Sequence, residues 1–339
     1  MKARTRMRLE PATPTASLAY ARSAGRTMIE LIIAMAIGMI ILIGVGSLYL
    51  SSSGVSRLAS SAGTAEDSGR LMMFMIGDGI KTAGYGEVVG AGFGRGGETY
   101  FEGPAIRGCT GARMVDPFNP VAPNYTCAGV APGDQIFVRF QSRHRAAAMS
   151  DAERDGAQMR DCLGSPLNQD VVLGSGPGMG ATVQMVQNSF ALNAAGNALL
   201  CEGVSNAGTP AQIVPNVVDF RIYYRFDDAA WALAAGMQTN VVPTGGSIRD
   251  AAWIIATGAA SPADPWQYVF AAIVCMTVAT GERGVATATN VTRCPATAAE
   301  VAAGTPVTEA STTGQLRRTF MEVFTIKSRS THSPAISPI

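Results

Sequence analysis

The chain has 339 residues and a formal net charge of +1, and charged residues make up only 15% of it, against a globular norm of about 25%. Residues 1–25 hold Lys2, Arg4, Arg6, Arg8 and Arg22 against Glu10 alone, which leaves 21 basic and 24 acidic residues, net −3, in the remainder. That balance excludes a general basic surface for nucleic acid, and the 38 glycines among Ala, Thr and Val argue for sheets and loops over a helix bundle.

Taken from the N-terminus, the basic head 1–25 is a positive-inside signal that keeps its own end cytoplasmic and sends the rest across a membrane. Leu31–Leu50 follows, 20 residues without a charge, which as a helix spans about 30 Å, the thickness of a bilayer core. It is apolar all round, unlike an amphipathic core helix, and longer than the 7–15 apolar residues, roughly, of a secretory signal peptide. A plain signal anchor fits its length but leaves Gly25 and Glu30 unexplained, since a carboxylate beside hydrocarbon is costly.

Beyond the run, Val55, Leu58, Ala62, Ala65, Leu71 or Met72, Met75 and Ile76 recur at helical spacing. Gly84 and Gly86 around Tyr85 close the helix, so it is expected over 26–85 with its membrane segment at 31–50. Residues 86–132 read mainly as loop; neither Gly90–Gly97 nor Gly174–Gly180 has the strand, helix or lysine that a phosphate cradle needs.

The clearest strand is Val217–Phe226, where Val218, Phe220, Ile222, Tyr224 and Phe226 alternate with polar neighbours. Asp134–Phe140 and Thr319–Lys327 read similarly, Tyr268–Val278 reads as fully buried, and shorter strands are expected in Thr182–Leu192 and Ala198–Cys201. Ser328–Ile339 reads as a loose tail. A helix followed by many strands implies an α+β fold with a largely antiparallel sheet over 86–339.

Cys109, Cys127, Cys162, Cys201, Cys275 and Cys294 all follow the apolar run. An even count on the translocated side points to disulfides in an oxidising compartment. Zinc is disfavoured, because no C-x-x-C exists and His144 and His332 are the only histidines. No G-x-S-x-G, H-E-x-x-H or His/Cys pairing suggests an enzyme, and Asp227–Asp228 reads as a solvated turn. No catalytic, cofactor or metal residue is expected.

Gly25-Arg26-Thr27-Met28-Ile29-Glu30 with the run behind it resembles the type III signal of type IV prepilins. The resemblance implies cleavage by a prepilin peptidase between Gly25 and Arg26, N-methylation of Arg26, and Glu30 as the signature acid. Arg26 stands where that family commonly has Phe. The new α-amine would lie one helical turn from Glu30, at the positive end of the helix dipole. There Glu30 could pair with the amine of a neighbouring subunit and fix register, or it could sit as an acid among lipid headgroups.

Further along, "LYLSSS", "DSGRLMMFMIGDGIKTAGYGE", "DCLG", "LLCEG", "IVPNVVDFRIYYRF" and "LRRTFMEVFTIKSR" resemble the PilW-type minor pilins. The resemblance implies a pilin-like fold and a structural role in initiating a type IV pilus, at its tip. Its partners would be other minor pilins, the major pilin, the prepilin peptidase and the inner membrane, with the C-terminal domain periplasmic and then on the cell surface. A minor pseudopilin of type II secretion carries a nearly identical signal, and a tip adhesin or DNA-binding subunit is the other alternative. Six cysteines allow 15 connectivities. Chain-local pairing gives Cys109–Cys127, Cys162–Cys201 and Cys275–Cys294, and the resemblance supports the middle pair.

Overall fold

The computed structural model describes residues 27–86, 88–89, 98–99, 104–119, 123–142, 160–167, 170–172, 182–234, 246–259, 264–281, 290–305, 307–310 and 314–330. The leader, both glycine-rich runs, His144, His332 and residues 331–339 lie outside them. The chain forms two units, Met1–Val55 and Ser56–Ile339.

Helix α1 runs without a break over Met28–Thr82. Short β1 (Val88–Val89) and β2 (Glu98–Thr99) follow, then β3 (Ile106–Cys109), β4 (Arg113–Asp116), β5 (Asn124–Ala128) and β6 (Gln135–Gln141). Next come β7 (Asp170–Val172), β8 (Thr182–Leu192), β9 (Ala198–Gly203), β10 (Ala211–Pro215) and β11 (Val217–Phe226). The chain continues as α2 (Asp228–Ala234), β12 (Ser247–Arg249), α3 (Ala251–Gly258), β13 (Val269–Ala279) and β14 (Asn290–Arg293). It finishes with α4 (Ala298–Ala303), β15 (Val307–Ala310), β16 (Arg317–Thr325) and α5 (Lys327–Ser330).

Two antiparallel sheets carry the second unit. One is ordered β10-β9-β8-β6-β3 with β7 beside β8, and the other β12-β11-β13-β16. The main core gathers Met72, Met73, Ile76 and Ile80 from α1 with Val138, Phe190, Phe220, Val274 and Phe324 from both sheets. The fold is therefore α+β, a long N-terminal helix with antiparallel sheets, as its order of elements implies.

Several local expectations need correction. The stretch 86–132 is not mainly loop: β3 joins the first sheet through β6, and β4 pairs β5. A bulge between Val217 and Asp219 puts Val217 in the core and leaves Val218 half-buried. Tyr223 is buried as well, on the opposite face against Ile273 and Val301, its hydroxyl donating to Pro295 O at 2.9 Å. Strand β11 is thus covered on both sides, where simple alternation predicts one. Asp227 and Asp228 are no solvated turn, since Asp227 accepts from Ala230 N at the start of α2 and Asp228 accepts from Ser247 N and Arg249. Ser328, placed in the loose tail, donates to Ala83 O at 2.7 Å and anchors the chain to the end of α1.

Candidate functional site

Among the described residues no group of three or more His, Cys, Asp or Glu could hold a metal ion. The feature that stands out is α1 itself. At its start Glu30 N and Leu31 N donate to Thr27 O at 3.1 and 3.3 Å, which makes Thr27 the N-cap and Glu30 the third helical residue. Thr-x-x-Glu is the capping-box spacing, so a carboxylate at Glu30 suits the helix terminus whatever else it does. Gly25 and Arg26, the expected cleavage and methylation positions, lie outside the described residues.

From Leu31 to Leu50 the large apolar side chains are exposed. This is the one candidate membrane span among the described residues, by length and composition. Leaving a Leu or Ile side chain in water forgoes about 1.5–3 kcal/mol each, and an exposed patch of this size marks a membrane or an assembly contact. The serine hydroxyls in and just after it are satisfied locally: Ser47 Oγ donates to Gly44 O at 2.8 Å and Ser53 Oγ to Leu50 O at 2.9 Å. Nothing within 4 Å would oppose a Cβ at Gly38, Gly44, Gly46 or Gly54.

The later part of α1, in the second unit, is built differently. Of the two neighbours that could continue the apolar stripe, Met72 is buried and Leu71 exposed, and Met73, Ile76 and Ile80 are buried with Met72. Two glycines receive two phenylalanines. A Cβ at Gly69 would overlap the Phe320 ring, and a Cβ at Gly77 would overlap the Phe324 ring. Eight helical residues rise ~12 Å and four strand residues ~13 Å, so helix and strand match in pitch and run in the same direction. Glu66 adds an electrostatic tie, accepting from Arg70 Nε at 2.8 Å and Arg318 Nε at 2.9 Å. Sequence reasoning missed this joint; its signal was Gly-x7-Gly in the helix with Phe-x3-Phe in the last strand.

Disulfides brace the irregular segments of the second unit. Cys109–Cys127 ties the β4–β5 hairpin to β3, Cys162–Cys201 ties the Asp161–Ser165 turn to β9, and Cys275–Cys294 ties β13 to the end of β14. A bridge closing a loop of about 15 residues contributes ~3 kcal/mol in the chain-entropy model.

Between the sheets lies Asp134, buried just before β6. Its N–H donates to Phe220 O at 2.9 Å, and its carboxylate accepts from Ile222 N at 2.9 Å and Gly111 N at 3.2 Å. Burial pushes its carboxyl up to about 6, against the pull of those amides and of Arg221 at 3.7 Å. Burial likewise raises Asp219, which Arg221 partly offsets. The clefts elsewhere have engaged walls. In one, Arg107 is ion-paired with Asp264 and stacked 4.3 Å over Tyr125; in another, Gln135 bonds both Met114 N and Ser189.

No protein-family model matches the sequence, and no curated protein matches it. Among solved structures, a type IV-like pilin from Thermus thermophilus is similar over 78% of this chain and 95% of its own, with 11% identity and a TM-score of 0.35. At that overlap neither function nor partners transfer.

Proposed function

We propose that the chain is a structural, non-enzymatic subunit of a type IV pilus, a PilW-type minor pilin that takes part in initiating the filament at its tip. The observation that carries the reading is the unbroken helix Met28–Thr82. Its uncharged exposed stretch Leu31–Leu50 directly follows Gly25-Arg26-Thr27-Met28-Ile29-Glu30, and its later turns are locked to a disulfide-braced sheet body. In this reading the prepilin peptidase removes residues 1–25 and Arg26 is methylated. The helix holds the protein in the inner membrane with residues 86–339 periplasmic, and Glu30 meets the α-amine of a neighbouring pilin. Other minor pilins and the major pilin are the partners.

The experiment joins intact-mass measurement with gene deletion. The mature protein should lack residues 1–25, Gly25→Leu should remain full length, and deletion should remove surface pili while protein secretion continues. A mature start near Ser53, or lost secretion with normal piliation, would reject the reading, the latter in favour of a type II pseudopilin.

A further inference from the structure

We propose that Asp161 is a positioning residue for oxidative folding: its carboxylate, seated over Gly203, presents Cys162 to Cys201 before the two sulfurs bond. The starting point is a place on β9 that lacks a side chain. Gly203 has φ −102° and ψ 162°, a conformation open to any residue, so its bareness serves space and not backbone freedom. A Cβ there would overlap Oδ2, Cγ and Cβ of Asp161. The carboxyl group thus occupies the room that a side chain at position 203 would take.

The contacts around that room gather on one face of the first sheet. Asn188 pairs directly with Gly203, and Phe190 with Cys201; residues opposite each other or two apart in a sheet share a face. Asp161 fills the space over Gly203, Cys162 N donates to Asn188 Oδ1 at 3.0 Å, and Cys162 bonds Cys201 two residues along the strand. The same carboxylate staples the turn that carries Cys162. Its Oδ1 accepts from Leu163 N at 3.0 Å and Ser165 N at 2.9 Å, and Gly164 N donates to Asp161 O at 2.9 Å. Ser205 Oγ donates to Pro166 O at 2.6 Å at the end of the turn. Asp161 is buried and its Oδ2 has no hydrogen-bond partner among the described residues, so Oδ1 carries the polar role. None of these contacts involves sulfur. The place of Cys162 is specified without the disulfide.

Six thiols can pair in 15 ways, and a thiol held beside its target reacts as if greatly concentrated. Cys162 is half-buried and Cys201 fully buried, which gives the first step to Cys162. With glutathione disulfide as oxidant, the Cys162 thiolate attacks one of its sulfurs and expels a glutathione thiolate. The Cys201 thiolate then attacks Cys162 Sγ, closes the protein disulfide and expels the second glutathione thiolate. Two electrons and the two thiol protons end on glutathione. Asp161 exchanges neither; it sets the approach of Cys162. The inference is independent of the filament reading.

The test refolds the reduced full chain in detergent with reduced and oxidised glutathione, traps free thiols with iodoacetamide at short times, and maps the linked peptides. Asp161→Ala and Gly203→Ala should each lower the ratio of Cys162–Cys201 to other bridges of Cys162 about ten-fold, roughly one hydrogen bond to a carboxylate. Asp161→Asn, which keeps Oδ1, should stay within about two-fold of the wild type. Adding Gly203→Ala to Asp161→Ala should lower the ratio no further, because the methyl enters room already vacated. Cys109–Cys127 and Cys275–Cys294 should form as in the wild type throughout. A chain with both Cys162→Ala and Cys201→Ala should still protect the Leu163 and Ser165 amides from hydrogen exchange. An unchanged ratio in Asp161→Ala and Gly203→Ala, equal scrambling of all three bridges, or loss of that amide protection would overturn the proposal.

Discussion

Tyr224 is fully buried, packs edge-on against Trp266 at 5.1 Å, and its hydroxyl has no hydrogen-bond partner among the described residues. Burial accordingly raises its phenol well above the ordinary range. A Cβ at Gly108 would overlap that hydroxyl. Tyr224→Phe should therefore be neutral or stabilising by ~1 kcal/mol, because it removes an unsatisfied polar atom. Gly108→Ala should cost ~1–3 kcal/mol by overpacking, and less when Tyr224→Phe is already present; equal costs in both backgrounds, measured by urea unfolding in detergent, would refute the clash. Asp134 makes a second expectation at this scale. Its folded carboxyl, near 6, lies above an unfolded aspartate near 3.8. Its protonation thus contributes stability that is full below about pH 4 and lost as pH rises through 6, with a ceiling of ~3 kcal/mol. Between pH 4 and 7 the wild type should lose more stability than Asp134→Asn does, and identical pH slopes would show that Asp134 does not titrate there.

At the scale of elements, the glycines of α1 divide by what faces them. Gly63 meets nothing within 4 Å, so Gly63→Ala should gain about 0.5–1 kcal/mol of helix propensity. Gly77→Ala gains the same propensity but drives a methyl into Phe324, for a net loss of about 1–2 kcal/mol. Paired thermal melts should move in opposite directions, and parallel shifts would dissolve the proposed joint. These elements also show how far the sequence could be read. The helix was legible because twenty uncharged residues and a helically spaced apolar stripe are local signals, and β11 and β13 because alternation and continuous apolarity are. Strands β3 to β5 were not, since a four-residue strand such as Ile106–Cys109 takes its place from β6, a partner nearly thirty residues away. The Gly69–Phe320 and Gly77–Phe324 contacts were hidden for the same reason: neither half has meaning until the last strand lies along the first helix.

For the whole molecule, the question left by Glu30 is whether the carboxylate serves its own helix or a neighbour. Capping alone is worth about 0.5–2 kcal/mol and would be mostly retained by Glu30→Gln, which can still close a capping box. Charge pairing would be lost in both Glu30→Gln and Glu30→Val. Under the proposed function both variants should insert in the membrane and lose residues 1–25 as the wild type does, yet fail to co-isolate with pilus-initiation subunits. If Glu30→Gln co-isolates like the wild type and only Glu30→Val fails, capping is the role.

The matched pitch of α1 and β16 also has a mechanical meaning. Phe320 and Phe324 are two teeth in a two-slot rack, set ~12 Å apart on the helix, and a slot fits a tooth only where a side chain is missing. A pull along the helix axis cannot ease the teeth out one at a time; it must shear both together, with the Glu66–Arg318 tie. The next register on α1 offers no second pair of empty slots eight residues apart, because Met73 and Lys81 fill those places. Under load the joint should hold its position and then fail abruptly, without creeping. In a single-molecule stretching experiment, replacing Gly69 and Gly77 by alanine should turn one sharp rupture into a lower, broader one.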